Sequence, residues 1–442
     1  MSVRSSDSLT ARVAGTVGVL RGDGRGWTLS AIAGGWFFTL GLRFVIPALL
    51  PAIRADFPVS DTVAGAAITL LWVTYAGTQF PAGALVDRVG ERLLLVASVV
   101  AGAATMLVYA SAPTFTAFLL ATAGFGLASG LYGPPRGVVL SRVYTARDGA
   151  AFGTVLATGS LGAALLPPLA TYATGIVGWR GALGLTIPGF LAAGYALRRF
   201  VPDRPATAGS AAEAANAGDG DGDGDGAGVS NPDSGDPRRS RTRRGAAAIR
   251  RAVSTRKVAV AVLGTTLMLF VFQGVTAFLT TYFVTAKGLS ETAAGTLFGL
   301  LFLSAAVCQS VGGALADRYG HGRVLATVSV IGVVPLAALP YADSLPTLVA
   351  VVTLLGMRLS IGPISNAYIV SVLPAEIRGT AWGAVRTGFF VVGAFGSTAV
   401  GSLADADLFT EAFLLLAGVT AVAGVVYATL PERRGTGDDG GG

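Results

Sequence analysis

Gly83-Ala-Leu-Val-Asp-Arg-Val-Gly90 and Gly313-Ala-Leu-Ala-Asp-Arg-Tyr-Gly320 are near-copies of one octapeptide, set 230 residues apart in a chain of 442. The same offset pairs Leu70 with Leu300, Leu71 with Leu301, Ala76 with Ala306 and Gln79 with Gln309 upstream. Downstream it pairs Gly149 with Gly379 and Gly153 with Gly383. One offset that holds without a gap over this distance marks a duplicated half, not a shared composition.

The repeat sits among long apolar runs. Of the 442 residues, 52% are hydrophobic and 13% charged, and the mean hydropathy is +0.65. A soluble domain usually carries roughly 25% charged residues. Runs of about 20 residues, enough to cross a bilayer as helices, lie at 27–50, 62–86, 93–112, 115–140, 150–175, 180–200, 258–286, 292–316, 324–342, 346–373, 379–402 and 409–430. They do not alternate in polarity as membrane strands would. The expected fold class is therefore an all-α membrane protein, with twelve transmembrane helices in two pseudo-symmetric six-helix bundles, 27–200 and 258–430. One cysteine, Cys308, and one histidine, His321, leave no disulfide framework, no four-ligand zinc site and little for a nucleophilic triad. No enzyme activity, cofactor or metal is expected.

The net charge of +7 is laid out by topology. With the N-terminus inside, the inner tails and loops hold 25 of the 32 Lys+Arg, and the outer loops hold Arg54, Arg180 and Lys287. That bias predicts a multi-pass protein of the cell membrane with both termini cytoplasmic. The arginines punctuate apolar runs and do not form the basic soluble domain that nucleic-acid binding needs. Residues 1–26 carry Arg4, Arg12, Arg21 and Arg25 with no apolar core and cleavage site, and read as a cytoplasmic tail. Residues 431–442 read as a second one. Residues 201–257 contain Asp219-Gly-Asp-Gly-Asp-Gly-Asp-Gly226, then nine bases and no acid from Arg238 to Lys257. This segment reads as a disordered cytoplasmic linker. Its basic half can also lie on anionic lipid headgroups.

Gly83-x-Leu85-x-Asp87-Arg88-x-Gly90-x-Arg92, its copy from Gly313 through Asp317 and Arg318 to Gly320, and Pro374-x-x-x-Arg378-Gly379 resemble signatures of the major facilitator superfamily. The likeness covers everything except the tails and the linker. It departs at one point, where Gly322 takes the slot of Arg92 and Arg323 follows one place later. The resemblance implies alternating access, with a conformational latch at Gly83, Asp87, Arg88, Gly90, Arg92, Gly313, Asp317, Arg318, Gly320 and Arg378. The residue types suit that role. Glycines permit a tight turn and close helix approach, and an aspartate at a helix end can meet the positive N-terminus of a neighbouring helix. Contacts made on one face and broken as the halves rock would bias the inward/outward balance. The signature is silent on substrate.

Four arginines fall inside spans: Arg43 in the first, Arg136 in the fourth, Arg358 in the tenth and Arg386 in the eleventh. Each costs about 2.5–3.5 kcal/mol near the bilayer centre on insertion scales. At 1.5 Å per residue, Arg136 is about 6 Å and Arg386 about 10 Å from the inner end, so both can either snorkel or face a cavity. Arg358, about 18 Å from the outer end of its span, has no such escape. The repeat offset places Gln273 at the level of Arg43 and Asn366 at that of Arg136. A substrate cavity lined by Arg43, Gln79, Tyr132, Arg136, Gln273, Gln309, Arg358, Asn366 and Arg386 is therefore expected. The resemblance implies that spans one, four, seven and ten surround it. Gly133-Pro134-Pro135 and Gly362-Pro363 predict either plain kinks or irregular helix where backbone groups face a solute.

No Asp or Glu falls in the middle of any span. Buried guanidinium without buried acid suits a negatively charged solute, carboxylate or phosphate. Some anion exchangers of the resembled superfamily share that layout. The family's helix-five efflux signature is absent; the stretch reads Gly159-Ser-Leu-Gly162-Ala-Ala-Leu-Leu-Pro167-Pro168. The expected function is monomeric secondary transport of a small organic or inorganic anion. The alternatives are an exporter of hydrophobic or neutral solutes, whose arginines pair with backbone carbonyls, and a non-transporting membrane sensor on the same fold.

Overall fold

The computed structural model describes residues 25–145, 148–203, 255–374 and 378–430. The tails before Arg25 and after Leu430, the Asp219–Gly226 repeat and nearly all of the basic stretch from Arg238 to Lys257 lie outside the described residues. The first half runs α1 (Arg25–Ala48), α2 (Leu50–Asp56), α3 (Asp61–Val89), α4 (Glu91–Ala110), α5 (Phe115–Gly130), α6 (Gly133–Val143), α7 (Asp148–Gly184) and α8 (Ile187–Phe200). The second runs α9 (Arg256–Thr285), α10 (Glu291–Tyr319), α11 (His321–Ala338), α12 (Leu345–Met357), α13 (Ile361–Val372), α14 (Arg378–Ala404) and α15 (Phe409–Ala428).

Among the described residues, eleven stretches are long and apolar enough to cross a membrane, and one of them, Gly149–Phe200, has 52 residues. As one helix it would measure about 78 Å, far beyond a hydrocarbon core of about 30 Å. Gly178 breaks it with φ 70°, a left-handed value that a Cβ would disfavour. It is therefore two spans, and the total is the twelve that the apolar runs predict.

The duplication is written into the backbone as well. Ser60 and Ser290 cap α3 and α10, accepting the N–H of Val63 at 3.3 Å and of Ala293 at 3.2 Å. Gly90 and Gly320 end the same two helices at φ 82° and 92°. The octapeptide closes on glycine in both copies because the chain must turn there through left-handed space.

How the halves meet positions the site. On the side away from the termini, α3 packs on α14 and α7 on α10. A Cβ at Gly65 would collide with the Ser397 carbonyl, one at Gly295 with the Thr171 side chain, and one at Gly299 with the Ala164 carbonyl. Small residues let these backbones approach, as membrane helices need. Thr69 stitches the first seam, donating to the Ala394 carbonyl at 2.9 Å and lying 2.7 Å from the Thr398 hydroxyl. Five turns further along the same helix faces, Gly83, Gly153 and Gly313 have nothing within 4 Å of a built Cβ. The helices that touch on one side have separated on the side that bears the termini.

Candidate functional site

A cavity of about 620 Å³ lies between the halves. Its wall runs from Phe152 and Trp382, near the terminal-side ends of α7 and α14, to an aromatic floor at mid-bundle. Phe44 centres that floor, with ring centroids 4.3 Å from Phe302 and 5.9 Å from both Phe272 and Trp72. Trp72 stacks on Phe390 at 5.8 Å. Rings from both halves thus seal the cavity below, each pair worth about 0.5–1.5 kcal/mol beyond burial.

Six of the nine expected residues line this cavity: Arg43, Arg136, Gln309, Arg358, Asn366 and Arg386. The Arg43 guanidinium, 2% exposed, lies 4.1 Å from the Tyr75 ring centroid, 5.0 Å from Trp36 and 5.5 Å from Trp72. Its Nε donates to the Thr39 carbonyl at 3.3 Å. Arg136 sits 3.9 Å over Trp36, and Arg386 lies 5.6 Å from Phe390. Ring faces attract a cation by about 0.5–2 kcal/mol, so aromatic side chains take the place that acids hold in an ion pair. Arg136 and Arg386 point into the cavity, not out to the membrane surface.

Arg358 is held differently. Its stem crosses Gly332, where a Cβ would stand 2.7 Å from its Cδ, and its Nη1 donates to the Met268 sulfur at 3.9 Å. Buried guanidinium nitrogens on all four arginines lack a hydrogen-bond partner: Nη2 of Arg43, Nε and Nη1 of Arg136, Nε of Arg358 and Nε of Arg386. Among the described residues none of the four forms an ion pair. Each such donor is available to water or to a solute in the cavity, and would cost about 1–3 kcal/mol if left with neither.

Interrupted helix explains two of the placements. Arg358 opens a 3₁₀ turn, Arg358–Ser360, between α12 and α13. Arg136 lies in the first turn of α6, after α5 has stopped at Gly130 and two prolines have restarted the helix. The Gly-Pro signals in spans four and ten mark these irregular stretches.

Three expected residues do not line the cavity. The Tyr132 hydroxyl turns away to donate to the Ile32 carbonyl at 2.7 Å, while its ring stacks on Trp36 at 5.9 Å. Gln79 packs at the α3–α6 contact, its Oε1 3.0 Å from where a Gly133 Cβ would be. Gln273 is fully buried, with neither side-chain polar atom partnered. It follows Phe272, which faces the floor, and one helical step of about 100° turns it inward. Conversely Trp36, Trp72, Tyr75, Thr265 and Met268 line the wall without having been singled out. Only Trp36 has a signal in the sequence, because it precedes Arg43 by two turns on one helix face.

The octapeptide residues Asp87, Arg88, Asp317 and Arg318 are exposed at the terminal-side ends of α3 and α10. Arg92 pairs with Asp203, just past the first half, at 2.6 Å, and buried Glu91 faces Arg142 at 3.6 Å within it. The Arg378 side chain lies outside the described residues. On the closed side Asp405 accepts the backbone N–H of Asp61 and of Thr62, and Arg54 pairs with Asp61 at 2.5 Å. Burial opposes ionisation of Asp405, but the hydrogen bonds from Thr62 and Asp61 outweigh it and hold the carboxyl below its usual value.

Two like helical halves, sealed on one side and open on the other to a cationic cavity at mid-depth, define a secondary transporter. The chain belongs to the major facilitator superfamily, whose family model matches residues 31–300 and 261–441. It is a multi-pass membrane transporter and not an enzyme. Over 130 residues it is 28% identical to the "Probable L-galactonate transporter" of Escherichia coli (strain K12); the match spans 29% of this chain and 29% of that relative. A bacterial homolog of the human lysosomal transporter Spinster, solved inward-facing and unoccupied, shares the fold with a TM-score of 0.71 at 16% identity, over 92% of this chain and 97% of its own. The nucleoside transporter NupG does so with a TM-score of 0.71 at 15% identity, over 91% and 98%.

Proposed function

We propose that this protein carries a small organic or inorganic anion across the cell membrane by rocker-switch alternating access, as a monomer. One observation carries the reading. Four guanidiniums, two from each half, line the cavity with buried, unpartnered donors and form no ion pair among the described residues. An anion supplies charge and forked acceptors together, forming charge-assisted hydrogen bonds that are roughly twice as strong as neutral ones. The name of the relative, a probable L-galactonate transporter, points the same way.

The basic bias of the loops puts the termini in the cytoplasm, so the open side is the inward one. Gln309 and Asn366 add neutral hydrogen bonds to the uncharged part of the solute. Closing the inner side brings together the octapeptide ends at Asp87, Arg88, Asp317 and Arg318. It parts Asp405 from α3 on the outer side. The solute is then released to the opposite compartment.

A thermal-shift screen of the purified protein tests the reading, because a ligand at 100 times its Kd stabilises by about 2.7 kcal/mol. Anions at millimolar levels should raise the midpoint, while neutral sugars and amines of like size should leave it in place. The aromatic wall of Trp36, Trp72, Phe389 and Phe390 favours a second reading, export of apolar solutes. Stabilisation by neutral apolar compounds alone would select it.

A further inference from the structure

We infer that the solute carries two negative charges, not one; this rests on the anion reading above and names its substrate class. The four arginines are not equivalent. Arg43 and Arg136 share the ring of Trp36. Arg386 lies over Phe390, whose centroid is 5.7 Å from Tyr75, the ring closest to Arg43. Three cations therefore surround one aromatic cluster. Arg358 shares none of these rings and reaches Met268 on α9 instead.

While the cavity is open, water supports the unpaired donors. Alternating access requires a moment when both sides are shut, and the water then leaves. An ion left unpaired at that point is strongly penalised even after relaxation. A monoanion at the aromatic cluster would leave three of the four guanidiniums without a counter-charge. A dianion halves the excess of positive charge from four to two. Its charges can also engage both halves, because Arg43 and Arg136 belong to the first and Arg358 and Arg386 to the second. Closure around a dianion is then favoured by the charges that oppose closure of the empty cavity. Two chemistries meet the requirement: a dicarboxylate, with one group at the cluster and the other at Arg358, or a phosphate monoester, with a doubly charged head at the cluster.

Matched pairs separate charge from shape. Binding to the purified full-length protein in detergent is measured by calorimetry at pH 7.5 and constant ionic strength, so that screening is equal. The probes are succinate against monomethyl succinate, malate against lactate, and glycerol phosphate against glycerate. The dianionic member of at least one pair should bind tenfold or more tightly than its partner. In Arg358→Gln both members of each pair should weaken as the cavity loses a cation, but the dianion's advantage should fall below threefold for a dicarboxylate and persist for a phosphate monoester, which tells the two chemistries apart. Monoanions that bind as well as their dianionic partners would overturn the inference and leave the anion reading standing. Failure of every anion in the set to bind would overturn both.

Discussion

The Asp405 carboxylate accepts the backbone N–H of Thr62 at 2.9 Å and the Thr62 hydroxyl at 2.5 Å, joining the loop after α14 in one half to the first turn of α3 in the other. The N-terminus of α3 carries the positive end of its dipole, so a fixed carboxylate is favoured there by charge and by geometry. This clasp lies beyond the Thr69 and Gly65 seam, on the side that is shut.

Breaking the clasp should loosen that seam. In a Cys308→Ser background, which removes the single native thiol, a cysteine introduced by Ser397→Cys reports on the contact that Ser397 makes with Thr69. Adding Asp405→Ala should raise its rate of modification by a small thiol reagent several-fold. An unchanged rate would mean that helix packing alone holds this side closed.

The clasp also has a pH signature. The folded state lowers the Asp405 pKa, so its contribution is full above the ordinary value of 3.8 and is lost as pH falls through the folded value. The difference in thermal midpoint between wild type and Asp405→Asn should be flat from about pH 8 to about pH 4 and shrink below that. A difference that fades between pH 7 and pH 5 would assign the effect to another group.

Gly332 should matter to binding without touching the solute. A methyl there would stand 2.7 Å from Cδ of Arg358 and 3.0 Å from its Cγ, so the arginine stem must move. Gly332→Ala should weaken anion binding about fivefold to tenfold, roughly 1–1.4 kcal/mol, with the protein still folded. Gly418→Ala, in open space on α15, serves as a control and should be neutral or slightly stabilising. Equal binding in both variants would show that Arg358 does not depend on this contact.

The twelve spans are legible in the sequence because each apolar run has a length only a membrane explains, and the octapeptide fixes how two sets of six correspond. The arginines are legible for a related reason: a guanidinium within such a run has few bland explanations. The rings that hold them are not. An aromatic residue in a membrane helix is ordinary, so Trp36 and Tyr75 carry no signal until the arginines are placed. Gln273 shows the limit of repeat arithmetic. A constant offset fixes its level along the helix but not the direction its side chain takes, and the two halves differ in that direction.

The octapeptide aspartates, exposed with the terminal side open, should act when that side closes. Asp87→Asn and Asp317→Asn should insert normally, slow solute flux in proteoliposomes by severalfold, and shift the population between the two states. Wild-type kinetics in both single variants would reduce these residues to passive turn charges.

The most direct test of anion transport is the affinity of the best stabilising anion for wild type, Arg358→Lys and Arg358→Gln, measured on folded protein. Lysine keeps the charge and loses the planar fork; glutamine loses both. The loss in Arg358→Gln should be at least tenfold, about 1.4 kcal/mol, with Arg358→Lys intermediate, Arg43→Gln similar and binding of neutral solutes unaffected. Equal anion affinity in wild type and Arg358→Gln would contradict the account.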